Sequence, residues 1–248
     1  MSLFAVSDLH ISGSDDPLMG SVIKLLRERA ASGDTVVLVG DVFDLFVGNK
    51  KVFTEKYAPL LSALDFAGRR GVVLHYVEGN HDFLIRRAFA GIPSLKVHDH
   101  DVSVEISGKR FFFAHGDTAD CGDFGYRFMR FMFRSWLMRA LVIAIPGTWL
   151  DWIGRMSSRY SRDAKPLLPG ELPIERREKL RRIYRSYAAE RMAAGYDFVV
   201  MGHCHDLDEM FFTVDGRSAQ YVNIGFPRKH GSFLSWDVGD EKIQREAL

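Results

Sequence analysis

Leu3-Phe4-Ala5-Val6-Ser7-Asp8-Leu9-His10 is an apolar run that breaks into an acid and an imidazole, and its reading decides the fold. No polar side chain marks a solvent face between Leu3 and Val6, so Leu3–Ser7 reads as a strand buried on both sides, the habit of parallel sheets. An amphipathic helix pattern follows over Leu18–Ala31 and ends near Gly33. A second apolar run, Thr35–Val39, then breaks into Gly40-Asp41 in the same way. Strand, helix, strand builds a parallel sheet, and the pattern continues with a helix over Tyr57–Arg70 and a strand over Val72–Val77. Val102–Ile106 and Arg110–Ala114, parted by Ser107-Gly108-Lys109, read as a hairpin. Late in the chain Phe198–Met201, Met210–Val214, Ala219–Ile224 and Ser232–Val238 restore the strand texture. The expected class is α/β, with parallel strands at the centre of the sheets and antiparallel pairs added.

Between Tyr126 and about Ala194 the texture differs. Strand signals vanish, aromatics and Met interleave with Arg, and helices are the natural reading; 166–173 is a loop and Ile174–Ala194 a helix. The expectation is a single domain over 1–248 with a helical insertion, a lid, over 126–194. Two sequential domains fit less well, because the chemistry-bearing motifs lie on both flanks of that segment and need each other.

The bulk numbers agree with a globular chain. Of 248 residues, 47% are hydrophobic and 26% charged, enough for a substantial core. The net charge of +1 hides a basic segment: 126–185 holds twelve Arg and two Lys against five acids. Two cysteines, Cys121 and Cys204, make neither a disulfide framework nor a four-thiolate zinc site. The N-terminus enters its first strand with no basic leader, and the most apolar stretch, Trp136 to Ile153, is interrupted by Arg139, Pro146 and Asp151. The default expectation is a cytoplasmic address without a spanning helix.

Five short segments each follow an apolar run: Asp8-Leu9-His10, Gly40-Asp41, Gly79-Asn80-His81-Asp82, His115-Gly116-Asp117 and Gly202-His203-Cys204-His205. Loops at the carboxyl ends of strands converge on one crevice, so these residues are expected to meet. Asp8 and His10, like His203 and His205, are spaced to project to one side if the chain there is extended. Carboxylate, imidazole and amide oxygen together suit Mn, Fe or Zn better than Ca. A lone Asp-x-His or Gly-Asp is usually a capped loop; five such pieces, all after apolar strands, point to a metal centre with Asp41 bridging two ions.

The set resembles the calcineurin-like metallophosphoesterase family, whose pattern is Asp-x-His, Gly-Asp, Gly-Asn-His-Asp/Glu, His and Gly-His-x-His. The resemblance implies a four-layer α/β/β/α sandwich and two divalent metal ions. It places Asp8, His10 and His205 on the first, Asn80, His115 and His203 on the second, and Asp41 on both. It also implies hydrolysis by activated water, with Asp41 and His81 as catalytic residues, His81 sitting over the phosphate and able to protonate the leaving oxygen. Asp82 is expected to orient His81 or cap a helix. Cys204 is expected to point away from the metals.

Within that family the motifs Gly40-Asp41-Val42-Phe43, Gly79-Asn80-His81-Asp82-Phe83-Leu84, His115-Gly116-Asp117-Thr118 and Asp123-Phe124-Gly125-Tyr126 are similar to the UDP-2,3-diacylglucosamine hydrolases of lipid A synthesis. This implies manganese, a UDP-linked acylated glucosamine as substrate and peripheral attachment to the inner membrane surface. It further implies Asn80, His81, Asp123, Ser161, Lys165 and His203 as substrate-binding residues. The chain departs from that group at His81, where the group has Arg, and at Lys165, where it has Asn.

Phe124, Phe128, Phe131, Met132, Trp136, Leu137, Leu141, Trp149 and Trp152 fall largely at helical spacing, with Arg127, Arg130, Arg134 and Arg139 between them. Two readings stand side by side: the aromatics as the core of a lid whose arginines are solvated, or an apolar face that meets acyl chains at an anionic membrane. Nucleic acid is not expected, since stacking aromatics belong on sheet faces or loops. A phosphodiesterase or nucleotide phosphatase of polar substrates, and a non-catalytic scaffold, are the rival functions. The intact ligand set opposes the scaffold, and the aromatic insertion opposes the polar substrate.

Overall fold

The computed structural model describes residues 1–120, 122, 125, 128, 130–132, 135–164 and 173–248. Two sheets face each other. The first has six strands in the order β13-β12-β1-β2-β4-β6, and the second has five in the order β10-β11-β9-β8-β7. In the first sheet β1 (Ser2–Val6), β2 (Thr35–Val39), β4 (Val73–Val77) and β6 (Leu95–His98) run parallel, while β12 (Ser232–Asp237) and β13 (Gln244–Ala247) add antiparallel strands beside β1. In the second, β8 (Lys109–Ala114), β9 (Phe198–Met201) and β11 (Arg217–Asn223) are parallel, edged by antiparallel β7 (Val102–Ile106) and β10 (Asp208–Val214). A short parallel pair, β3 (Phe46–Val47) with β5 (Asp82–Phe83), ties two of the motif loops together.

Helix α1 (Pro17–Lys24) starts where Asp16 accepts the Leu18 amide and Pro17 presets φ, and it continues as a π-helical turn over Leu25–Arg29. With α2 (Lys51–Lys56) and α3 (Ala58–Arg69) it covers the outer face of the first sheet, burying Met19, Val22, Leu60 and Leu64 against Phe4, Val36 and Leu74. Between the sheets lie Ala5, Val37, Val77, Phe111, Val200 and Trp236.

Among the described residues the chain's middle holds three further helices: α4 (Trp136–Ala144), α5 (Gly147–Ala164) and α6 (Ile174–Ala193). Tyr184, Ala188 and Met192, one face of α6, pack on Phe112, Val199 and Tyr221 of the second sheet. The layer order is therefore helix, sheet, sheet, helix, as the resemblance implies. The outermost layer is supplied by α6, which the expected lid range of 126–194 includes.

Helices α4 and α5 sit beside α2: Lys50 Nζ donates to the carbonyls of Ile143 and Ile145 at 2.9 and 2.8 Å, and Lys56 pairs with the buried Asp151 at 3.3 Å. Their aromatics are not a core. Trp136 and Trp149 are 79% and 67% exposed, and Leu137, Ile143 and Trp152 also face solvent. Among the described residues no single helix is long and apolar enough to cross a membrane; α4 and the first half of α5 reach that length and composition only as a pair bent by 108°. A last short helix, α7 (Pro227–His230), precedes β12.

Candidate metal centre

All five motif segments lie at carboxyl ends of β1, β2, β4, β8 and β9, and the structure brings their side chains into one place. Asp8, His10 and His205 each offer a ligand atom within 4.8 Å of the others, and so do Asp41, His115 and His203. Asn80 Oδ1 lies 3.1 Å from His115 Nε2 and joins the second group. Asp41 Oδ2 is 3.4 Å from His115 Nε2 and 3.9 Å from His10 Nε2, so one carboxylate reaches both groups. His81 stands edge-on to His10, its ring centroid 4.7 Å away.

The local backbone differs from the extended geometry expected for Asp8-x-His10 and His203-x-His205. Asp8, His10, Asp41, His203 and His205 all adopt left-handed φ, between 45° and 68°. The side chains converge through turned backbone, and each such non-glycine residue costs about 1–3 kcal/mol that the surroundings must offset. They do so with hydrogen bonds between loops: the amides of Asp8 and His10 donate to the carbonyls of Gly40 and Asp41 at 3.1 and 3.0 Å. Gly79 is required for close approach, because a Cβ there would overlap Asp41 Oδ1 and the Asp41 amide.

The bonds of Asp82 go to loop amides and a tyrosine rather than to the His81 ring, whose Nδ1 donates to the Asp44 carbonyl. The buried Asp82 carboxylate accepts from the amides of Asp41 (3.0 Å), Val42 (2.7 Å) and Gly79 (2.8 Å) and from the Tyr76 hydroxyl (2.6 Å). It thereby fixes the loop of Asp41 against the loop of Asn80. Burial, and the nearby Asp41 charge, push its pKa up to about 7. Further supports carry no motif. Arg228 donates to the His10 carbonyl at 2.7 Å and pairs with Asp16; Asn223 Nδ2 donates to the Gly202 carbonyl at 3.0 Å. The signal for Asp82 is in its motif; the others belong to residues that only the fold brings near. Cys204 packs into the apolar cluster beneath α6, away from its neighbours' rings, and burial raises its thiol to about 12.

Electrostatically the cluster calls for positive charge. Asp8 and Asp41 are fully buried, and although burial opposes ionisation, neighbouring histidines hold both carboxyls below their ordinary value. Burial opposes a proton on His115, but Asp41 beside it lifts its pKa to about 10. His10 and His203, desolvated, fall to about 3 and 4 and are neutral at pH 7. The donor set fits divalent cations. Asp8 Oδ1 is buried without a hydrogen bond. Pairs of imidazole nitrogens face each other at 3.3 Å (His10 with His205) and 3.1 Å (His115 with His203). His115 Nδ1 also donates to the Val39 carbonyl at 3.0 Å, which turns the Nε2 lone pair inward in the neutral ring.

Asp123 and Lys165, assigned to substrate by resemblance, lie outside the described residues, as do Phe124, Tyr126, Arg127 and Arg134. Ser161 falls on α5, and its side chain is likewise outside the description.

Acids and imidazoles gathered at the strand ends of a two-sheet sandwich are candidate metal ligands, and the chain belongs to the calcineurin-like phosphoesterase family, whose profile matches residues 1–207. It is a hydrolase of that family. Among curated relatives it is 26% identical over 246 residues to the UDP-2,3-diacylglucosamine hydrolase of Nitrosococcus oceani, covering 98% of this chain and 90% of that one. It is 28% identical over 238 residues to the protein of the same name from Neisseria meningitidis serogroup B, covering 89% and 97%. An archaeal phosphodiesterase of known structure shares the fold at a TM-score of 0.51 and 16% identity over 100% of both chains.

Proposed function

We propose that the protein hydrolyses the pyrophosphate of UDP-2,3-diacylglucosamine, or a close analogue, to UMP and 2,3-diacylglucosamine 1-phosphate. The observation that carries the chemistry is the pair of ligand groups sharing Asp41. Asp8, His10, Asp41 and His205 would hold one divalent cation, and Asp41, Asn80, His115 and His203 the other. When bound, two such ions, manganese before iron or zinc, neutralise the anionic diphosphate and acidify the water that attacks phosphorus.

The chain's own residues supply positioning and a proton. His81 Nδ1 donates to the Asp44 carbonyl at 2.8 Å, so Nε2 is the end left for phosphate. Burial opposes its charge, yet the Asp41 carboxylate and the Asp44 carbonyl raise its pKa above the ordinary value, which suits a donor to the departing oxygen. This proton comes from imidazole here, where the related hydrolases carry Arg. Asn80 and His203 flank the same space, and Asp123, Ser161 and Lys165 are assigned to the sugar–lipid end by resemblance.

The lid supports the lipid part of the reading. Large apolar side chains held outward on α4 and α5 have no use for a polar nucleotide, whereas acyl chains and a membrane surface bury them. Arg130, one of the arginines interleaved in the sequence, is taken up by an ion pair with Asp117 at 2.8 Å, so the exposed apolar side chains carry the reading of a site that works peripherally at the inner membrane. The full relatives' length and name support the substrate.

The test is to incubate manganese-loaded protein with UDP-2,3-diacylglucosamine and follow UMP. Release of UMP with equimolar acylated sugar phosphate is expected. Rapid cleavage of simple phosphodiesters with no UMP would instead assign a polar substrate.

A further inference from the structure

Helix α6 ends the insertion and also forms the outer layer of the sandwich, and from one of its faces three side chains reach the motif loops. Tyr184 is buried, and its hydroxyl donates to the Gly116 carbonyl at 2.8 Å, one residue beyond His115. Gly116 has a φ of 103°, and a Cβ at that position would press on the Tyr184 ring at 2.9 Å. Glycine thus admits the ring against the backbone. The same strand end is joined to the next loop, since the Gly202 amide donates to the His115 carbonyl at 3.1 Å. His115 and His203 are therefore held in one hydrogen-bonded unit, and Tyr184 grips it from outside.

Two arginines fasten α6 to the far side of that unit. Arg181 donates to both oxygens of Asp206 at 2.5 and 3.1 Å and to the Leu207 carbonyl at 3.2 Å. Arg185 donates to both oxygens of the buried Asp208 at 2.9 and 2.6 Å. Paired two-point contacts of this kind fix orientation as well as distance. Cys204, between the two histidines, packs in the same apolar cluster as Tyr184. A helix that only covered a sheet would need its apolar stripe and none of these bonds.

We infer that Tyr184 is a positioning residue for the second cation, acting through the Gly116 carbonyl on His115 and His203, with Arg181 and Arg185 holding α6 in place for it. The inference rests on the two-cation reading above. Its consequence is that Tyr184, on the insertion's return helix, bears on the second ion rather than the first. Outer partners of metal ligands are worth about 10–100-fold in metal affinity.

The experiment titrates Mn2+ into metal-stripped full-length chain by calorimetry, for wild type, Tyr184→Phe, His203→Ala and the double variant. His203→Ala retains the first-site step and so identifies it. Expected are two steps in wild type, a second-site step weakened about tenfold in Tyr184→Phe, and an unchanged remaining step when Tyr184→Phe is added to His203→Ala. Turnover of a small chromogenic phosphodiester should lose kcat with KM held. Wild-type affinities at both sites in Tyr184→Phe, with or without a lower Tm, would overturn the inference. Equal weakening of both sites, or of the step left in His203→Ala, would do the same. Wild-type protein that binds no Mn2+ would strike the two-cation reading and this inference together.

Discussion

His115 turns one ring nitrogen to the Val39 carbonyl at 3.0 Å and the other to Asp41 Oδ2 at 3.4 Å. Through that ring the end of β8 is joined to the end of β2 across the space between the two sheets, and the Asp41 carboxylate is held from the second sheet. The predictions below begin at this pair.

Asp41→Ala should remove the shared ligand and with it both ions. Elemental analysis should find less than one metal per chain, and kcat should fall by about three orders of magnitude, equivalent to roughly 4 kcal/mol of transition-state stabilisation. Retention of two metals and full activity would reject the bridging role.

Asp82→Asn should destabilise the chain and loosen the metal centre without touching a ligand. The amide keeps one oxygen and puts an NH2 in place of the other, so either the Asp41 and Gly79 amides or the Val42 amide lose their acceptor and are left buried and unpaired at about 1–3 kcal/mol each. Urea unfolding should show a lower midpoint both with and without Mn2+. An unchanged midpoint would mean that the loops hold themselves.

His75 and His98, stacked with Nδ1 to Nε2 at 3.0 Å, should make stability fall in acid. Burial, then the neighbouring His98 and Lys96, lower His75 to about 4; burial, with Arg86 and Lys96, also lowers His98, against the pull of Asp99. An unfolded histidine takes a proton near 6.5, so the folded pair's contribution is complete above that pH and is lost as pH falls toward 4. Tm measured from pH 7 to 4 should decline less steeply in His75→Leu than in wild type. Parallel curves would exclude the pair as the source.

Trp136→Ala with Trp149→Ala should raise KM for the acylated substrate about tenfold, or ~1.4 kcal/mol, while KM for a small phosphodiester stays put. Binding to vesicles of anionic phospholipid should weaken in parallel. An equal effect on both substrates would make the exposed aromatics a matter of lid structure alone.

Much of the fold is legible because the strands that carry the site are apolar on both faces and break abruptly into chemistry-bearing residues. Leu3–Ser7 and Thr35–Val39 in the sequence are Ser2–Val6 and Thr35–Val39 in the structure. The polar edge strand Gln244–Ala247 is illegible, since its pairing with Ser232–Ser235 needs only backbone groups. β6 is hidden in the sequence by Lys96 and His98, which break its apolar run. At the site, residue types announce the ligands, but the left-handed backbone at Asp8, His10, Asp41, His203 and His205 does not show in a spacing of two. Nor does periodicity tell whether an aromatic stripe faces core or solvent; on α4 and α5 it faces solvent. Tyr184, Arg228 and Asn223 support the loops from far along the chain, where only tertiary structure makes them neighbours.

The most direct test of the central claim is anomalous diffraction from crystals of the manganese-loaded protein. Two peaks per chain are predicted, one among Asp8, His10 and His205 and one among Asn80, His115 and His203, with Asp41 in contact with both. A single peak, or manganese bound away from these side chains, would contradict the account.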